Sequence, residues 1–123
     1  MRQSSPKRRA KRLQLLDFFT RWCVQCEMQR LNLERALAAF GGRVRVLRVD
    51  AEVAQEMVWR YDVGEVPTLV VLADGVEAAR LAGVQPPEAI AAAIARGLAQ
   101  TSKNGGKSPS VSEKSVGNGR SAL

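Results

Sequence analysis

The chain has 123 residues, which predicts a single domain whose core is large enough to fold without disulfide bonds. It contains two cysteines and no histidine, so a Ser–His or Cys–His catalytic pair is excluded and the ligands of an ordinary zinc site are lacking. The chain has no run of roughly eighteen apolar residues, which is the length needed to span a membrane. No apolar segment of signal-peptide type follows the basic N-terminus. We therefore expect a cytoplasmic protein that holds no metal and does not associate with membranes.

The net charge of +7 is concentrated in the two flanks of the chain. Residues 1–12 carry six positive side chains and no acid, and residues 102–123 carry four positive side chains and one acid. Such segments are commonly disordered, because they bury too little apolar surface to offset the entropy of ordering. We predict a basic flexible arm at 1–12, a folded domain at 13–101 and a disordered Gly/Ser/Lys tail at 102–123. The arm is either a solvated tail or a contact for acidic partners.

The first two predicted elements are a strand and a helix. Residues 13–19 form a short, mostly apolar run that is typical of a central strand. Apolar residues at helical spacing predict a helix over residues 24–40, which Gly41 is expected to end. The residues expected to form its buried stripe are Met28, Leu31, Leu33, Leu37 and Phe40.

The middle of the chain predicts two further strands and a short helix between them. Alternating apolar residues indicate a strand over residues 43–49, after which Asp50 is expected to cap a helix that extends to about Tyr61. The β-branched and aliphatic run at residues 68–72 predicts a buried strand.

A hairpin and a last helix complete the pattern. Asp74-Gly75 is a strong hairpin signal, so residues 76–81 are expected to return as an antiparallel strand. Pro87 stands where an alanine-rich helix over residues 88–99 should begin. The order β-α-β-α-β-β-α, with a right-handed first crossover, predicts an α/β fold with a four-stranded mixed sheet and helices on both faces.

The chemistry of the chain is expected at Trp22-Cys23-Val24-Gln25-Cys26, between the first strand and the first helix. Two cysteines three residues apart on a helical turn can form a disulfide. Cys23 is the expected nucleophile, because free N–H groups and the dipole at a helix N-terminus favour a thiolate. Cys26, one turn further along, is the expected resolving thiol.

Two other interpretations of the cysteine pair stay open at this point. A C-x-x-C segment also occurs in zinc knuckles, although a second such pair is missing here. The two cysteines could also be buried and chemically inert.

Several segments together resemble the thioredoxin family over about residues 13–99. Residues 16–23, Leu-Asp-Phe-Phe-Thr-Arg-Trp-Cys, look like the family's strand that leads into its active site, which here reads WCVQC. Residues 61–68, Tyr-Asp-Val-Gly-Glu-Val-Pro-Thr, look like its cis-proline segment, and Asp74-Gly75 and Gly83 fall at family turn positions. The resemblance implies a thioredoxin-like fold and thiol–disulfide exchange.

The resemblance also implies roles for four further residues. Pro67 is the expected cis-proline beside the disulfide, and the backbone of Val66 is the expected edge for an extended substrate peptide. Trp22 would offer an apolar contact to partners. Asp17 resembles the family's buried acid, whose raised pKa would suit it to take the proton of Cys26. The open alternatives are a strand-start proline, a core tryptophan and an outward-facing aspartate.

The sequence departs from the family pattern around the active site. Val24-Gln25 replaces the family's Gly-Pro, a dipeptide associated with tuning of the redox potential. Glu27 stands where the family often has lysine, and its charge would oppose a thiolate unless Arg21 offsets it. Val46 is matched to the family's buried lysine, so Asp17 is expected to lack a cationic partner.

The first helix and one sheet edge also differ from the family. Leu31 is matched to a kinking proline, which predicts a straighter helix. The family's N-terminal strand and helix are missing before residue 13, so the strand at 43–49 is expected to lie at a sheet edge. Its arginines would discourage unwanted strand pairing, unless a partner strand or a second copy covers that edge.

Two functions from different classes follow. The first is a monomeric dithiol–disulfide oxidoreductase without a bound cofactor, which acts on protein disulfides and takes electrons from a thioredoxin reductase or a small thiol. The second is a thioredoxin-fold binding module that docks within a larger complex through Trp22, Val66 and Pro67. The first is preferred, because the two cysteines, Asp17 and the proline segment are retained together.

Overall fold

The computed structural model describes residues 13–104, so the arm predicted at 1–12 and the tail beyond residue 104 lie outside the described residues. Seven elements follow one another in the predicted order, which confirms the fold class. They are β1 (Leu13–Phe19), α1 (Val24–Leu37), β2 (Val44–Asp50), α2 (Gln55–Arg60), β3 (Thr68–Ala73), β4 (Val76–Ala82) and α3 (Pro87–Asn104).

The four strands form one mixed sheet in the order β2-β1-β3-β4. β1 is parallel to β2, as a crossover through α1 requires, and it is antiparallel to β3. The β3–β4 hairpin turns at Asp74 (φ 53°) and Gly75 (φ 82°), and positive φ at both central residues is what a tight hairpin turn needs. Within the part of the chain that the structure describes, β2 is an edge strand, as the sequence predicts.

The sheet separates two apolar clusters. Leu13 and Leu15 face α1 and α3, whereas Leu16 and Phe18 face α2, as the two-residue alternation of a strand requires. All four side chains are buried, which explains why β1 reads as an almost continuous apolar run. The same alternation puts Asp17 on the face that α1 and α3 cover, and this is the face on which the cysteines lie.

Helix α1 buries only part of the predicted stripe: Leu33 is in the core, and Leu37 and Phe40 pack against the same cluster. The prediction that Met28 and Leu31 belong to the buried stripe is wrong, because their side chains are 49% and 48% exposed. Apolar residues lie on two opposite sides of this helix, and the sequence prediction treats both sets as one buried stripe. The helix ends at Leu37, three residues before the predicted end. Its buried residues are Cys26, Gln29, Leu33 and Ala36.

Helix α2 begins later than predicted, and Asp50 is not its cap. Asp50 Oδ1 accepts a hydrogen bond from the backbone N–H of Glu52 at 3.0 Å, so its carboxylate closes the turn directly after β2. The helix starts at Gln55, with Ala54 at the N-cap. Tyr61, the predicted end, follows the last helical residue.

Helix α3 continues to Asn104, whereas the sequence predicts an end at residue 99. Its last three residues fall inside the segment predicted as a tail, and the rest of that segment stays a prediction. No helix of residues 13–104 combines the length and apolar character that a bilayer crossing demands.

Candidate active site

The two cysteines lie where β1 gives way to α1, and a disulfide joins them. Their Cα atoms are 5.2 Å apart, which is within the usual range for a disulfide. Cys26 is 3% exposed, whereas Cys23 is only partly buried. Of the two sulfur atoms, that of Cys23 is therefore the one that a partner can approach from solution.

Cys23 is the N-cap residue of α1, and its backbone is extended (φ −138°, ψ 104°). The backbone N–H of Cys26 donates a hydrogen bond to Cys23 Sγ at 3.0 Å. The first N–H groups of a helix have no partner within the helix and carry the positive end of its dipole. In the reduced protein the same N–H group would stabilise a thiolate at Cys23.

Glu27 adds a negative charge close to the cysteine pair, but this charge is paired. Arg30 forms salt bridges with both Glu27 and Glu34, and the Arg30 Nη1–Glu34 Oε2 distance is 2.7 Å. The hydrogen bond from Arg30 holds the pKa of Glu27 below its ordinary value. Arg21 instead lies over the Trp22 ring, with its guanidinium carbon 5.8 Å from the ring centroid. Arg30 is thus the cation that pairs with Glu27, and the offset of Glu27 by Arg21 at the Cys23 thiolate stays a prediction.

Asp17 lies on β1 with 1% of its surface exposed. Arg48 Nε donates a hydrogen bond to Asp17 Oδ2 at 3.3 Å, whereas Asp17 Oδ1 is buried without a hydrogen-bond partner among residues 13–104. Burial raises the pKa of the Asp17 carboxyl, and the charge of Arg48 opposes this effect without cancelling it. A buried carboxyl with a raised pKa and a free oxygen can accept and return a proton. The alternative of an outward-facing aspartate is excluded.

The prediction that Asp17 lacks a cationic partner is wrong. The parallel pairing of β1 with β2 sets Asp17 opposite Arg48. Val46, which the sequence matches to the family's lysine, lies opposite Leu15 and packs against the apolar core. Arg48 is two residues further along the same strand and therefore on the same face, which is the signal that could have identified it.

A cleft of about 270 Å³ opens beside the disulfide. Its walls include Cys23, Cys26 and Trp22, together with the arginines Arg21 and Arg48. The Arg48 guanidinium also stacks over the ring of Phe19, with 4.1 Å between its carbon and the ring centroid. Arg48 thus connects the buried carboxyl of β1 to the cleft that holds the cysteines.

The other three predicted site residues lie near the same end of the sheet. Trp22 is 90% exposed, which excludes a core tryptophan. The Val66–Pro67 peptide bond is cis, Pro67 is buried, and Val66 is partly buried against the cluster under α2. The β1–β3 register pairs Phe18 with Thr68, so Pro67 lies one residue beyond this pair, beside the end of β1 that leads to the cysteines.

Sequence reasoning missed Gln29, a polar side chain that is fully buried. Its Nε2 donates a hydrogen bond to the Gly83 carbonyl oxygen at 3.2 Å, and its Oε1 accepts one from the Gln85 N–H at 2.9 Å. The Gly83 N–H in turn donates to the Pro67 carbonyl oxygen at 2.8 Å. Gln29 therefore links α1, one turn beyond Cys26, to the loop between β4 and α3, and Gly83 of that loop is hydrogen-bonded to Pro67. A glutamine within a helix carries no sequence signal of burial, because this residue type is mostly exposed.

Comparison with known proteins points to one family. The family model for thioredoxin matches residues 6–96. The thioredoxin of Staphylococcus aureus is 33% identical over 86 residues, which cover 70% of this chain and 83% of that protein. A thioredoxin variant from Halobacterium salinarum is 32% identical with a TM-score of 0.60, over 67% of this chain and 71% of that one. The oxidised mitochondrial thioredoxin 3 of Saccharomyces cerevisiae is 25% identical with a TM-score of 0.61, over 68% of this chain and 76% of that one.

Proposed function

This chain belongs to the thioredoxin family and is a protein-disulfide oxidoreductase, and on that premise we propose that it reduces protein disulfides with the Cys23–Cys26 dithiol. The observation that carries the proposal is the asymmetry of the two cysteines. Cys23 is accessible at the N-terminus of α1, and Cys26 is buried one turn behind it. This arrangement supports one attacking and one resolving thiol.

The first proposed step is attack by Cys23 on the substrate. The Cys23 thiolate attacks one sulfur of the substrate disulfide, which forms a mixed disulfide and breaks the substrate's S–S bond. The other substrate sulfur leaves as a thiolate and takes a proton from solvent. The Cys26 N–H and the dipole of α1 stabilise the attacking thiolate.

The second proposed step is resolution by Cys26. Its thiol gives up a proton, and the resulting thiolate attacks Cys23 Sγ, which closes the Cys23–Cys26 disulfide and releases the second substrate sulfur. Two electrons have then passed from the protein dithiol to the substrate. We assign Asp17 as the proton acceptor, and its burial, raised pKa and unpartnered Oδ1 support this role.

The proposed contacts for the substrate chain lie around Cys23. The exposed Trp22 ring offers an apolar surface, and the Val66 backbone offers hydrogen-bonding groups at the start of β3. Pro67 fixes the loop that presents Val66. Because each turnover consumes the dithiol, a thioredoxin reductase or a small thiol must restore it. We also propose that the protein is a cytoplasmic monomer and that it needs no bound cofactor.

The reduction potential of the Cys23–Cys26 couple tests the direction of electron flow. The protein is equilibrated in glutathione buffers of known poise, and its free thiols are then trapped and counted. A potential at or below about −240 mV supports a reductant, whereas one above about −200 mV makes the protein an oxidant or isomerase. If the two cysteines form no disulfide at any poise, a binding module replaces the proposed function.

A further inference from the structure

Helix α1 carries a second apolar face that the described part of the chain leaves uncovered. Val24, Met28 and Leu31 are 79%, 49% and 48% exposed. At 3.6 residues per turn these side chains fall within an arc of about 60° of the helix surface. The buried Cys26 and Leu33 lie on the opposite side. We call Val24, Met28 and Leu31 the α1 ridge.

The α1 ridge begins at the reactive sulfur. Val24 directly follows Cys23, and Leu31 lies seven residues further on, so the ridge extends about 10 Å along the helix. Single exposed apolar residues are common on protein surfaces. A contiguous set that starts at the site of chemistry instead indicates an interaction surface. A protein whose disulfide reaches Cys23 brings the neighbouring residues of its own chain to this ridge.

The charges of α1 nearest the reactive end of the ridge are paired with one another, whereas the exposed Arg35, one turn beyond Leu31 on the same side, forms no salt bridge within residues 13–104. Glu27, Arg30 and Glu34 form a band of salt bridges along one side of the helix. Because Arg30 contacts both acids, these three side chains together leave one net negative charge. Beside Cys23, apolar contact is therefore the main chemistry that the ridge offers to a ligand.

We propose that the α1 ridge docks apolar residues that flank the disulfide of the substrate protein, so that this chain prefers disulfides with apolar neighbours. The inference rests on the proposed function and names the substrate class of the same site. The continuity of the ridge with Cys23 argues for this occupant. A second copy of the chain seated on the ridge would cover Cys23, which the oxidoreductase needs open.

The test compares two cyclic peptides that share one disulfide ring and differ only in the flanking residues, which are Leu and Val in one and Ser and Gln in the other. Pre-reduced full-length protein is mixed with each peptide, and the second-order rate constant of peptide reduction is measured in a single turnover. The apolar peptide should react about tenfold faster, which corresponds to about 1.4 kcal/mol. The ratio of the two constants is the readout, because a loss of active protein or a shift in redox potential alters both constants.

Two double variants locate the preference. In Met28→Ser/Leu31→Ser the ratio should fall to nearly one. The matched control, Val53→Ser/Trp59→Ser, removes side chains that are 79% and 87% exposed at and before α2, and it should keep the wild-type ratio. A fall in both variants would show that surface hydrophobicity in general sets the preference, and would overturn the proposal.

The remaining outcomes separate this inference from the proposed function. If the wild-type protein reduces both peptides at equal rates, the ridge proposal is wrong and the oxidoreductase stands. If it reduces neither peptide, both fail together. If the reduced protein forms a dimer that the Met28→Ser/Leu31→Ser variant abolishes, the ridge belongs to a second copy, and the proposal is overturned.

Discussion

Arg48 Nε donates a hydrogen bond to Oδ2 of Asp17 at 3.3 Å, so a cation on the edge strand reaches the buried acid of the central strand. The Arg48 side chain is 41% exposed and that of Asp17 only 1%. Burial raises the pKa of Asp17, and the charge and hydrogen bond of Arg48 and then the charge of Arg30 oppose the rise. The strength of Asp17 as a base is therefore set chiefly by the balance between its burial and the partly exposed charge of Arg48.

Replacing Arg48 should change the pH at which Cys26 resolves the mixed disulfide. Arg48→Gln removes the charge that lowers the pKa of Asp17, so that pKa should rise further. Because Asp17 accepts a proton only as a carboxylate, the rising limb of the rate of mixed-disulfide release should move to higher pH. The measurement is that rate as a function of pH.

Arg45→Gln is the matched control for this change. Arg45 lies on the same strand, opposite Gln14, and its replacement by glutamine removes the same charge. Its pH profile should stay that of the wild type. An equal shift in both variants would assign the effect to the general field of β2 and not to the Asp17–Arg48 contact.

Asp17 should also lower the stability of the fold as the pH rises. Because the pKa of Asp17 is raised in the folded state, its contribution to the free energy of unfolding is fully present below the unfolded pKa of about 4. That contribution is lost as the pH rises through the folded pKa. Asp17→Asn cannot ionise, so its advantage over the wild type in denaturant unfolding should be larger at neutral pH than below about pH 4. The control Asp74→Asn, in the exposed hairpin turn, should show no such trend. A pH-independent difference for Asp17→Asn would refute the assignment.

Removing the Gln29 side-chain amide should destabilise the protein. Gln29→Leu leaves the Gly83 carbonyl oxygen and the Gln85 N–H without their partners, at a cost of about 2 kcal/mol in the free energy of unfolding. Gln14→Leu makes the same replacement at an exposed position of β1 and should cost much less. Equal unfolding midpoints for the two variants would mean that the Gln29 hydrogen bonds add no net stability.

Most of the architecture could be predicted because local signals agree with the tertiary structure. The apolar run of β1 is buried on both faces, and Asp74-Gly75 adopts the positive φ angles that its hairpin turn requires. The α1 crossover then makes β1 and β2 parallel neighbours. Each of these features depends on residues close together in the sequence.

The parts that could not be predicted depend on tertiary contacts. Gln29 is buried because a loop more than fifty residues away supplies its partners. Met28 and Leu31 are exposed because α1 turns its other side toward the core, and both sides carry apolar residues at helical spacing. Asp50 is of a residue type that often caps helices, but its carboxylate closes the turn before α2.

At the candidate site, the sequence located the cysteine pair, Trp22 and the cis-proline, because these lie in contiguous motifs. It missed the cation opposite Asp17, since the choice between Val46 and Arg48 depends on the register of two strands. A shift of two residues keeps the side chain on the same face of the sheet, so the alternation of β2 cannot distinguish Val46 from Arg48.

The most direct test of the account is to trap the intermediate. Cys26→Ser is incubated with a peptide disulfide, the free thiols are alkylated, and the products are identified by mass. Because Cys23 attacks and Cys26 resolves, this variant should accumulate a mixed disulfide at Cys23, and Cys23→Ser should accumulate almost none in the same time. An adduct that forms on Cys26 in Cys23→Ser as fast as on Cys23 in Cys26→Ser, or no adduct in either variant, would contradict the account.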